Sequence, residues 1–530
     1  MQFSDFDQLE AVRALQELAA HPYDLTTPDS LPASRIGSYR ISACGFDFLY
    51  ATQRVDDAVL ERLQDLADEA GLVDQYLAMK QGAIMNRIHG FESENRQVLH
   101  TACRDIFSDR PAAPEATTQA RDQLERLQRF LDDIDRGRIT NARGEQFTTM
   151  VQIGIGGSDL GPRALYEALR HFSRPGRRVC FIANVDPDDA AAVLAEIDLC
   201  RCLINVVSKS GSTLETLTNE QLVRSALAKA GLDPARHMIA VTGEGSPMDD
   251  PRRYLASFHM YDYIGGRYSA TSMVGGVSLA FALGYDRFLE LLGGAHAMDQ
   301  VAEHRSIRKN LPLLMALLGI WNHNFLGAAT LAILPYSQAL HRFPAHLQQC
   351  DMESNGKSIT RHGEPVRWQT GPVVWGEPGT NSQHAFFQLL HQGTEVVPAE
   401  FIGFRKSQRG QDREVQGTTS QQKLVANMLA QSLALAQGKD SDNPGRRFPG
   451  NRPSSILLAE RLTPRTAGAL LALYENRIVF QGFCWNINSF DQEGVQLGKV
   501  LANRMLRHLS AEDTDLSETE SSLLQAAGLT

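Results

Sequence analysis

The feature that most constrains the fold is an alternation of short apolar runs with helical stretches in both halves of the chain. Short apolar runs bounded by turn residues are typical of buried strands, and strands that alternate with helices pair in parallel. Such strands are predicted at 150–153, 203–207, 238–242, 328–334, 373–375, 394–398 and 455–459. The sequence therefore predicts an α/β fold with two doubly wound parallel sheets, whose ligands bind at the carboxyl ends of the strands.

The chain has 530 residues, which is too long for a single hydrophobic core. A polar, proline-containing run at 108–118 marks a boundary, and 119–136 is predicted to be helical. The predicted divisions are an N-terminal helical segment with an extended arm at 1–115, a first α/β domain at 116–285, a second at 286–510 and a C-terminal tail at 511–530. Helices are expected at 5–20, 56–80, 273–283, 286–325 and 501–509, and a capping box of Ser517 with Glu520 opens a short terminal helix.

Composition describes an ordinary globular protein, with 43% hydrophobic and 22% charged residues. Its formal net charge of -10 excludes general polyanion binding, so an anionic ligand needs a local positive site. Three arginines at 446, 447 and 452 are too few for nucleic-acid binding.

Targeting and membrane signals are not expected in this sequence. The first 18 residues lack the basic and apolar regions of a signal peptide, and the longest apolar run, 311–321, is too short to span a bilayer. Seven scattered cysteines indicate reduced thiols and a cytoplasmic protein. They do not form a cluster with the spacing of zinc ligands, so no metal is predicted.

A glycine-rich turn at Gly154–Gly161 follows the first predicted strand, and Pro162 suits the first position of the next helix. Its backbone amides could approach an anion at the helix N-terminus. The spacing is not that of a dinucleotide loop, because Asp159 stands where the third glycine belongs and would repel a pyrophosphate. No cofactor is therefore predicted.

The turn Ser208–Thr213 joins the second predicted strand to a helix that begins near Leu214. Four hydroxyl groups, the ammonium group of Lys209 and a glycine can surround one phosphate group there. The order of residues is not that of a Walker loop, so a monophosphate fits better than a nucleotide. The same turn also fits an ordinary hydroxyl-rich helix cap.

Glu353 and His384 are the candidate acid and base groups. Glu353 lies in a polar run, 351–357, where a carboxylate could project into a cleft. After the turn at 376–379, Thr380 or Asn381 can cap a helix with His384 in its first turn, where a neutral imidazole is favoured. The same pattern also fits a solvated glutamate and a capping histidine, so it does not by itself establish an active site.

Arg267 follows two glycines at the start of an apolar helix. This position would allow its guanidinium group to turn into a cleft, although it also fits a surface arginine. Ser93 and Arg96 suit the start of a helix and are interpreted as structural.

Six runs of this sequence together resemble the glucose-6-phosphate isomerase family over nearly the whole chain. They are 154–161, 208–216, 265–269, 351–357, 376–384 and 488–499. The resemblance implies two flavodoxin-like sugar-isomerase (SIS) domains and reversible conversion of glucose 6-phosphate to fructose 6-phosphate. It also implies a cytoplasmic homodimer with shared active sites, in which the histidine comes from the neighbouring subunit, and no metal or cofactor.

The resemblance also implies roles for individual residues. Glu353 would move a proton between C2 and C1, Arg267 would lie against the enediolate, and His384 and Lys499 would serve ring opening. The phosphate would be held by Ser208, Lys209, Ser210 and Thr213, and the sugar would be lined by Gly157, Ser158, Gln349 and Gln492. Chemistry agrees with these roles, because a carboxylate removes a proton beside a carbonyl only if the resulting anion is stabilised.

Two alternatives stay open from the sequence. A non-catalytic sugar-phosphate sensor would need the phosphate loop but not Glu353. A related isomerase could act on mannose 6-phosphate or on both epimers, because specificity at C2 depends on small differences in geometry.

Overall fold

The computed structural model describes residues 3–511 and 515–530. The predicted segments 1–115 and 511–530 include residues 1, 2 and 512–514, which lie outside the described residues. The described chain divides into two units, one that ends at Ser489 and one that begins at Phe490.

The N-terminal segment combines helices with a β-hairpin that the sequence did not predict. Its elements are α1 (Glu10–Ala19), α2 (Ala33–Ser38), β1 (Arg40–Ala43), β2 (Phe46–Leu49), α3 (Asp57–Glu69), α4 (Leu72–Lys80), β3 (Ile84–Asn86) and β4 (Arg96–Gln97). Cys44 and Gly45 have φ angles of 50° and 84°, and positive φ at both central residues is the geometry that closes a two-residue hairpin. The predicted helix start at Ser93 is wrong, since Arg96 lies in the short strand β4.

The first sheet is built from residues 149–259. Its elements and flanking helices are α5 (Pro114–Asp135), β5 (Thr149–Ile153), α6 (Leu160–Leu169), β6 (Arg178–Ile182), α7 (Pro187–Ala195), β7 (Cys202–Ser208), α8 (Leu214–Lys229), β8 (Met238–Thr242), β9 (Ala256–His259) and α9 (Met273–Leu283). All pairings are parallel, in the order β6-β5-β7-β8-β9. This flavodoxin-like order confirms the predicted fold class and places the switch point between β5 and β7.

The second sheet repeats this order and is completed by the N-terminal hairpin. Its later elements and flanking helices are α10 (Tyr285–Val301), α11 (Leu311–Ile320), β10 (Thr330–Pro335), α12 (Phe343–Leu347), β11 (Val373–Trp375), α13 (Phe387–Gln392), β12 (Ala399–Phe404), α14 (Ser420–Gln437), β15 (Ser454–Ala459) and α15 (Pro464–Cys484). Between β12 and α14, the strands β13 (Glu414–Val415) and β14 (Thr418–Thr419) form a separate antiparallel hairpin. The order is β11-β10-β12-β15-β2-β1, with β2 antiparallel to β15. The strand predicted at 394–398 is wrong, because the ladder begins only at Ala399, after Pro398.

The two sheets have separate cores of fully buried side chains. Val151, Ile204 and Ala240 lie in the core of the first sheet, and Leu334 and Phe401 lie in that of the second. Among the described residues, every helix is too short or too polar to cross a membrane.

The second unit contains α16 (Gln496–Leu509) and α17 (Glu518–Ala526). The predicted capping box is confirmed. The Ser517 hydroxyl accepts a bond from the Glu520 amide, and the Glu520 carboxylate accepts one from the Ser517 amide at 2.9 Å.

Helices α10 and α15 cross at two glycines. A Cβ atom at Gly468 would lie 1.9 Å from the carbonyl oxygen of Leu291, and one at Gly294 would lie 1.9 Å from that of Arg465. Because the obstructing atoms are backbone, the two helices cannot approach this closely with any larger residue at either position.

We predict that Gly468→Ala lowers the free energy of unfolding by about 1–3 kcal/mol or more, because the added methyl group forces the helices apart. Urea unfolding measures this effect. Gly37→Ala in α2 is the control, since a Cβ there meets open space. Alanine at residue 37 should leave stability unchanged or raise it by up to about 1 kcal/mol. Equal effects of the two substitutions would contradict the helix crossing.

Candidate active site

Two loops meet at the switch point of the first sheet. The glycine-rich loop 154–158 follows β5, the hydroxyl-rich loop 208–213 follows β7, and the two strands pair with Ile153 beside Val206. The Gln152 side chain donates to the Ser158 carbonyl at 2.7 Å and fixes the first loop. The two loops that the sequence singled out therefore lie side by side.

Gly157 lies directly against the turn that carries Arg267. A Cβ atom at Gly157 would lie 2.1 Å from the Gly266 oxygen and 2.8 Å from the Arg267 nitrogen. The Ser269 hydroxyl donates to the Gly266 carbonyl at 2.6 Å and holds this turn. Glycine is required at residue 157 because another backbone segment occupies the space of a side chain.

Glu353 lies at the end of a helical segment and not in a polar loop. The chain continues from α12 through a π-helical turn, Gln348–Glu353, in which Cys350 and Asp351 are buried. Such turns are often found at functional sites. Glu353 is 19% exposed, and its Oε2 atom is buried without a hydrogen-bond partner among the described residues. The carboxylate thus keeps an oxygen that can accept a proton.

Arg267 is fixed beside Glu353 by two bonds from its guanidinium group. Nε donates to the Ser354 hydroxyl at 2.6 Å, and Nη2 donates to the Ser489 carbonyl at 2.7 Å. Nη1 lies 3.7 Å from the Glu353 Oε1 atom, and the Arg267 side chain is only 2% exposed. A buried cation held in this way can stabilise negative charge that develops next to the base.

Ser354 and Tyr268 support this arrangement. Their hydroxyl groups lie 3.0 Å apart, and the Tyr268 ring stacks on His100 at 4.7 Å between centroids. Burial lowers the pKa of His100 to about 3, so this histidine is neutral at pH 7. Sequence reasoning missed Ser354 and Ser489, although Ser354 directly follows Glu353.

The loop 208–213 is held together by its own hydroxyl groups. The Ser208 and Thr213 hydroxyls lie 2.9 Å apart, the Ser212 amide donates to the Ser210 hydroxyl at 3.2 Å, and α8 begins at Leu214. Hydroxyl groups and free amides at a helix N-terminus suit an anion. The four residues predicted to hold a phosphate therefore lie together.

Lys209 connects this loop to the Arg267 turn. Its ammonium group donates to the carbonyl oxygens of Asp262 and Ile264, at 2.7 and 3.0 Å. Burial lowers the pKa of Lys209, and the positive charge of Arg96 lowers it further. Arg96 is thus a second cation near the loop, which the sequence reading had treated as structural.

Gln349 lies one turn before Glu353, close to the glycine-rich loop. A Cβ at Gly156 would lie 3.2 Å from its Nε2 atom, and its Oε1 atom is buried without a partner among the described residues. Gln349 therefore lies beside the glycine-rich loop and in the same helical segment as Glu353.

His384 lies in the segment between β11 and α13. It ends a short 3-10 helix, Asn381–His384, and α13 begins only at Phe387, so its predicted position in the first turn of that helix is wrong. The reason is the Phe386 backbone, whose φ of -136° interrupts the helical path. The His384 side chain is exposed and makes no hydrogen bond or ion pair with the residues that the structure describes.

Gln492 and Lys499 belong to the second unit. Gln492 precedes a 3-10 turn, and Lys499 lies in the first turns of α16.

Asp351 is a buried acid behind the site. Among the described residues, only the side-chain amide of Asn355 donates a hydrogen bond to its carboxyl group, at 3.3 Å. Burial raises the pKa of Asp351 to about 6. The folded protein therefore holds this proton more tightly than the unfolded chain does.

Comparison with protein families gives one assignment for nearly the whole chain. The model of the phosphoglucose isomerase family matches residues 49–525. A glucose-6-phosphate isomerase from Desulfotalea psychrophila is 60% identical over 515 residues, which cover 97% of this chain and 96% of that protein. A glucose-6-phosphate isomerase from Chlamydia pneumoniae is 54% identical over 527 residues, which cover 99% of this chain and 98% of that protein.

Comparison with solved structures agrees. A crystal structure of a glucose-6-phosphate isomerase from Chlamydia trachomatis is similar, with a TM-score of 0.95 and 53% identity. The match covers 99% of this chain and 100% of that chain.

We predict that Asp351→Asn removes part of the pH dependence of stability. Between about pH 4 and 6 Asp351 is ionised in the unfolded chain but neutral in the folded protein, so its contribution to stability falls as pH rises. As pH rises through this range, the free energy of unfolding of the variant should increase relative to that of the wild type by up to about 1.4 kcal/mol per pH unit. Urea unfolding at pH 4, 5, 6 and 7 measures this difference. The exposed Asp109→Asn is the control, and a constant advantage for Asp351→Asn would contradict the prediction.

Proposed function

Because this chain belongs to the phosphoglucose isomerase family, we propose that Glu353, Arg267 and the loop 208–213 perform its reaction. The reaction is the reversible aldose-ketose isomerisation of glucose 6-phosphate and fructose 6-phosphate, which serves glycolysis and gluconeogenesis.

Glu353 is the base that moves the proton. It removes the hydrogen on C2 of the open aldose, which gives a cis-enediolate intermediate, and returns it to C1, while a proton passes from the C2 hydroxyl group to O1. One carboxylate serves both steps, because C1 and C2 are neighbours and the proton remains on the same group. The observation that carries this assignment is the half-buried Glu353 carboxylate, whose Oε2 atom has no partner among the described residues and lies beside a fixed arginine.

Arg267 stabilises the enediolate oxygen. Its guanidinium group is held at 2.6 Å by Ser354 and at 2.7 Å by Ser489, so it does not need to reorganise when negative charge develops. The Arg267 Nη1 atom lies 3.7 Å from the Glu353 Oε1 atom. The base and the cation can therefore act on the same two carbons of a sugar.

The loop 208–213 takes the phosphate group of the substrate. Ser208, Ser210 and Thr213 supply hydroxyl groups and Lys209 supplies positive charge. Binding at the phosphate end, remote from the reacting carbons, orients C1 and C2 at Glu353. Gly157, Ser158 and Gln349 contact the sugar between the two ends.

Membership of the family also suggests roles for three further residues, His384, Lys499 and Gln492. His384 and Lys499 assist ring opening, and Gln492 contacts the sugar. The exposed position of the His384 side chain supports a role at the active site of a second subunit. We therefore propose a homodimer in which each site takes its histidine from the partner.

The same proposal includes the domain division and the compartment. Two sheets of like order support α/β domains at 116–285 and 286–510, preceded by the segment 1–115 and followed by the tail 511–530. All seven cysteines are free thiols, which supports a reducing compartment, the cytoplasm.

We predict that Glu353→Gln lowers kcat by about 10²-fold to 10⁴-fold, because the amide keeps the shape of the side chain but cannot take the proton. A coupled assay of fructose 6-phosphate formation measures kcat, and calorimetry measures binding of the sugar phosphate, which should persist.

Glu364→Gln is the matched control, because this exposed glutamate lies on a nearby loop and should keep full activity. Glu353→Gln with wild-type turnover would place the base elsewhere. A variant that lost binding and turnover together would indicate that Glu353 holds the substrate.

We predict that two inactive variants restore activity when they share a dimer. In a mixed dimer of Glu353→Gln and His384→Ala subunits, one site has both native residues and the other has neither. Random pairing makes half of the dimers mixed, so about a quarter of the wild-type activity should return in the unfractionated mixture and about half in the purified mixed dimer. Co-expression with two different tags and purification of the mixed species test this. Activity no greater than that of the two parents would show that each site uses its own subunit's histidine.

A further inference from the structure

The second sheet has a switch point of its own, between β10 and β12, to which no role has been assigned. The loops after these strands line an open cavity of about 550 Å³. This volume falls within the usual range for small-molecule sites, and switch points are where doubly wound sheets bind ligands. In the first sheet, the equivalent position carries the two loops 154–158 and 208–213.

The cavity is positively charged, although the whole chain is acidic. Arg170, Lys406 and Arg409 line it, against one carboxylate, Glu167. Arg170 and Arg409 make no ion pair within the described chain. Lys406 pairs with Glu460 at 2.7 Å, but both side chains are more than half exposed, so this pair is weak and easily exchanged. Three cations in a chain of net charge -10 make this region locally positive, which favours an anion.

The walls of the cavity are held in place by side-chain amides. Gln408 donates to the Ala168 carbonyl at the end of α6 at 2.7 Å, and Gln421 donates to the Phe404 carbonyl at 2.6 Å. These bonds fix the loop after β12 to α6 and to α14. The site is therefore formed before a ligand arrives, which lowers the entropy cost of binding.

The remaining lining sets the chemical class of the ligand. Ser337 and Ser407 add hydroxyl donors, whereas the side chains of Tyr336, Phe404 and Leu424 offer apolar surface. Cations with hydroxyl donors suit a phosphate group, and the apolar wall suits an organic body attached to it. We propose that this cavity, which we call the second-sheet cavity, binds a small phosphorylated organic molecule at a site separate from the candidate active site.

Two helices lead from this cavity towards the candidate active site. α6 begins after the loop that contains Gly157 and ends next to Arg170. His341 lines the cavity, and two residues later α12 begins the helical segment that ends at Glu353. A ligand that moved either helix end would act on the residues of the active site. The binding proposal does not depend on the role given to Glu353.

Pyrophosphate titrated calorimetrically into the full-length protein tests the proposal. Wild type should show two classes of site. Arg170→Ala with Arg409→Ala should weaken one class at least about tenfold, because two charge-assisted contacts are lost. Lys209→Ala should weaken only the other class. Arg413→Ala is the matched control, since Arg413 is an exposed arginine near the same loop that does not line the cavity.

Retained isomerase activity shows that the double variant is folded. If it bound pyrophosphate as the wild type does, or if Lys209→Ala alone abolished all binding, the proposal would be overturned. Competition with a hexose bisphosphate and with a nucleoside diphosphate identifies the organic body. Displacement by either supports the proposal, and failure of both to displace pyrophosphate from the Lys209→Ala protein contradicts it.

Discussion

The candidate active site depends on one buried arginine, Arg267. Arg267 carries a full positive charge at 2% exposure, and a buried charge is tolerated only when its donors are paired. Its partners come from distant parts of the chain, Ser354 on the helical segment after β10 and Ser489 at the end of the first unit. The same bonds that make burial possible fix the guanidinium group beside Glu353. The same hydrogen bonds therefore stabilise the fold and preorganise the site.

Much of the fold follows from local sequence, because long apolar runs are decisive. The run 203–207 lies in β7, and the apolar helix predicted at 273–283 is α9. The hairpin β1-β2 could not be predicted, because its strands have four residues each and β2 pairs with β15, some 400 residues later. The strand predicted at 394–398 was misplaced because Val396 and Val397 form an apolar pair just before the real ladder.

The candidate site was predictable where chemistry is concentrated in one run of sequence. Ser208–Thr213 and the neighbourhood of Glu353 are such runs. The helical segment around Glu353 was read as a polar loop because Asp351 is acidic, whereas it is buried in a π-helical turn. Arg96 was missed because its relation to Lys209 exists only in three dimensions.

The hairpin that completes the second sheet also determines when that sheet can form. The first sheet uses only residues 149–259, so its strands are all available soon after they leave the ribosome. In the second sheet, β2 must wait for β15, which is synthesised roughly 400 residues later. During translation the β2 edge remains without its partner, and unpaired edges promote aggregation. Nascent chains of this enzyme therefore have a long interval in which a chaperone that covers this edge is of most use.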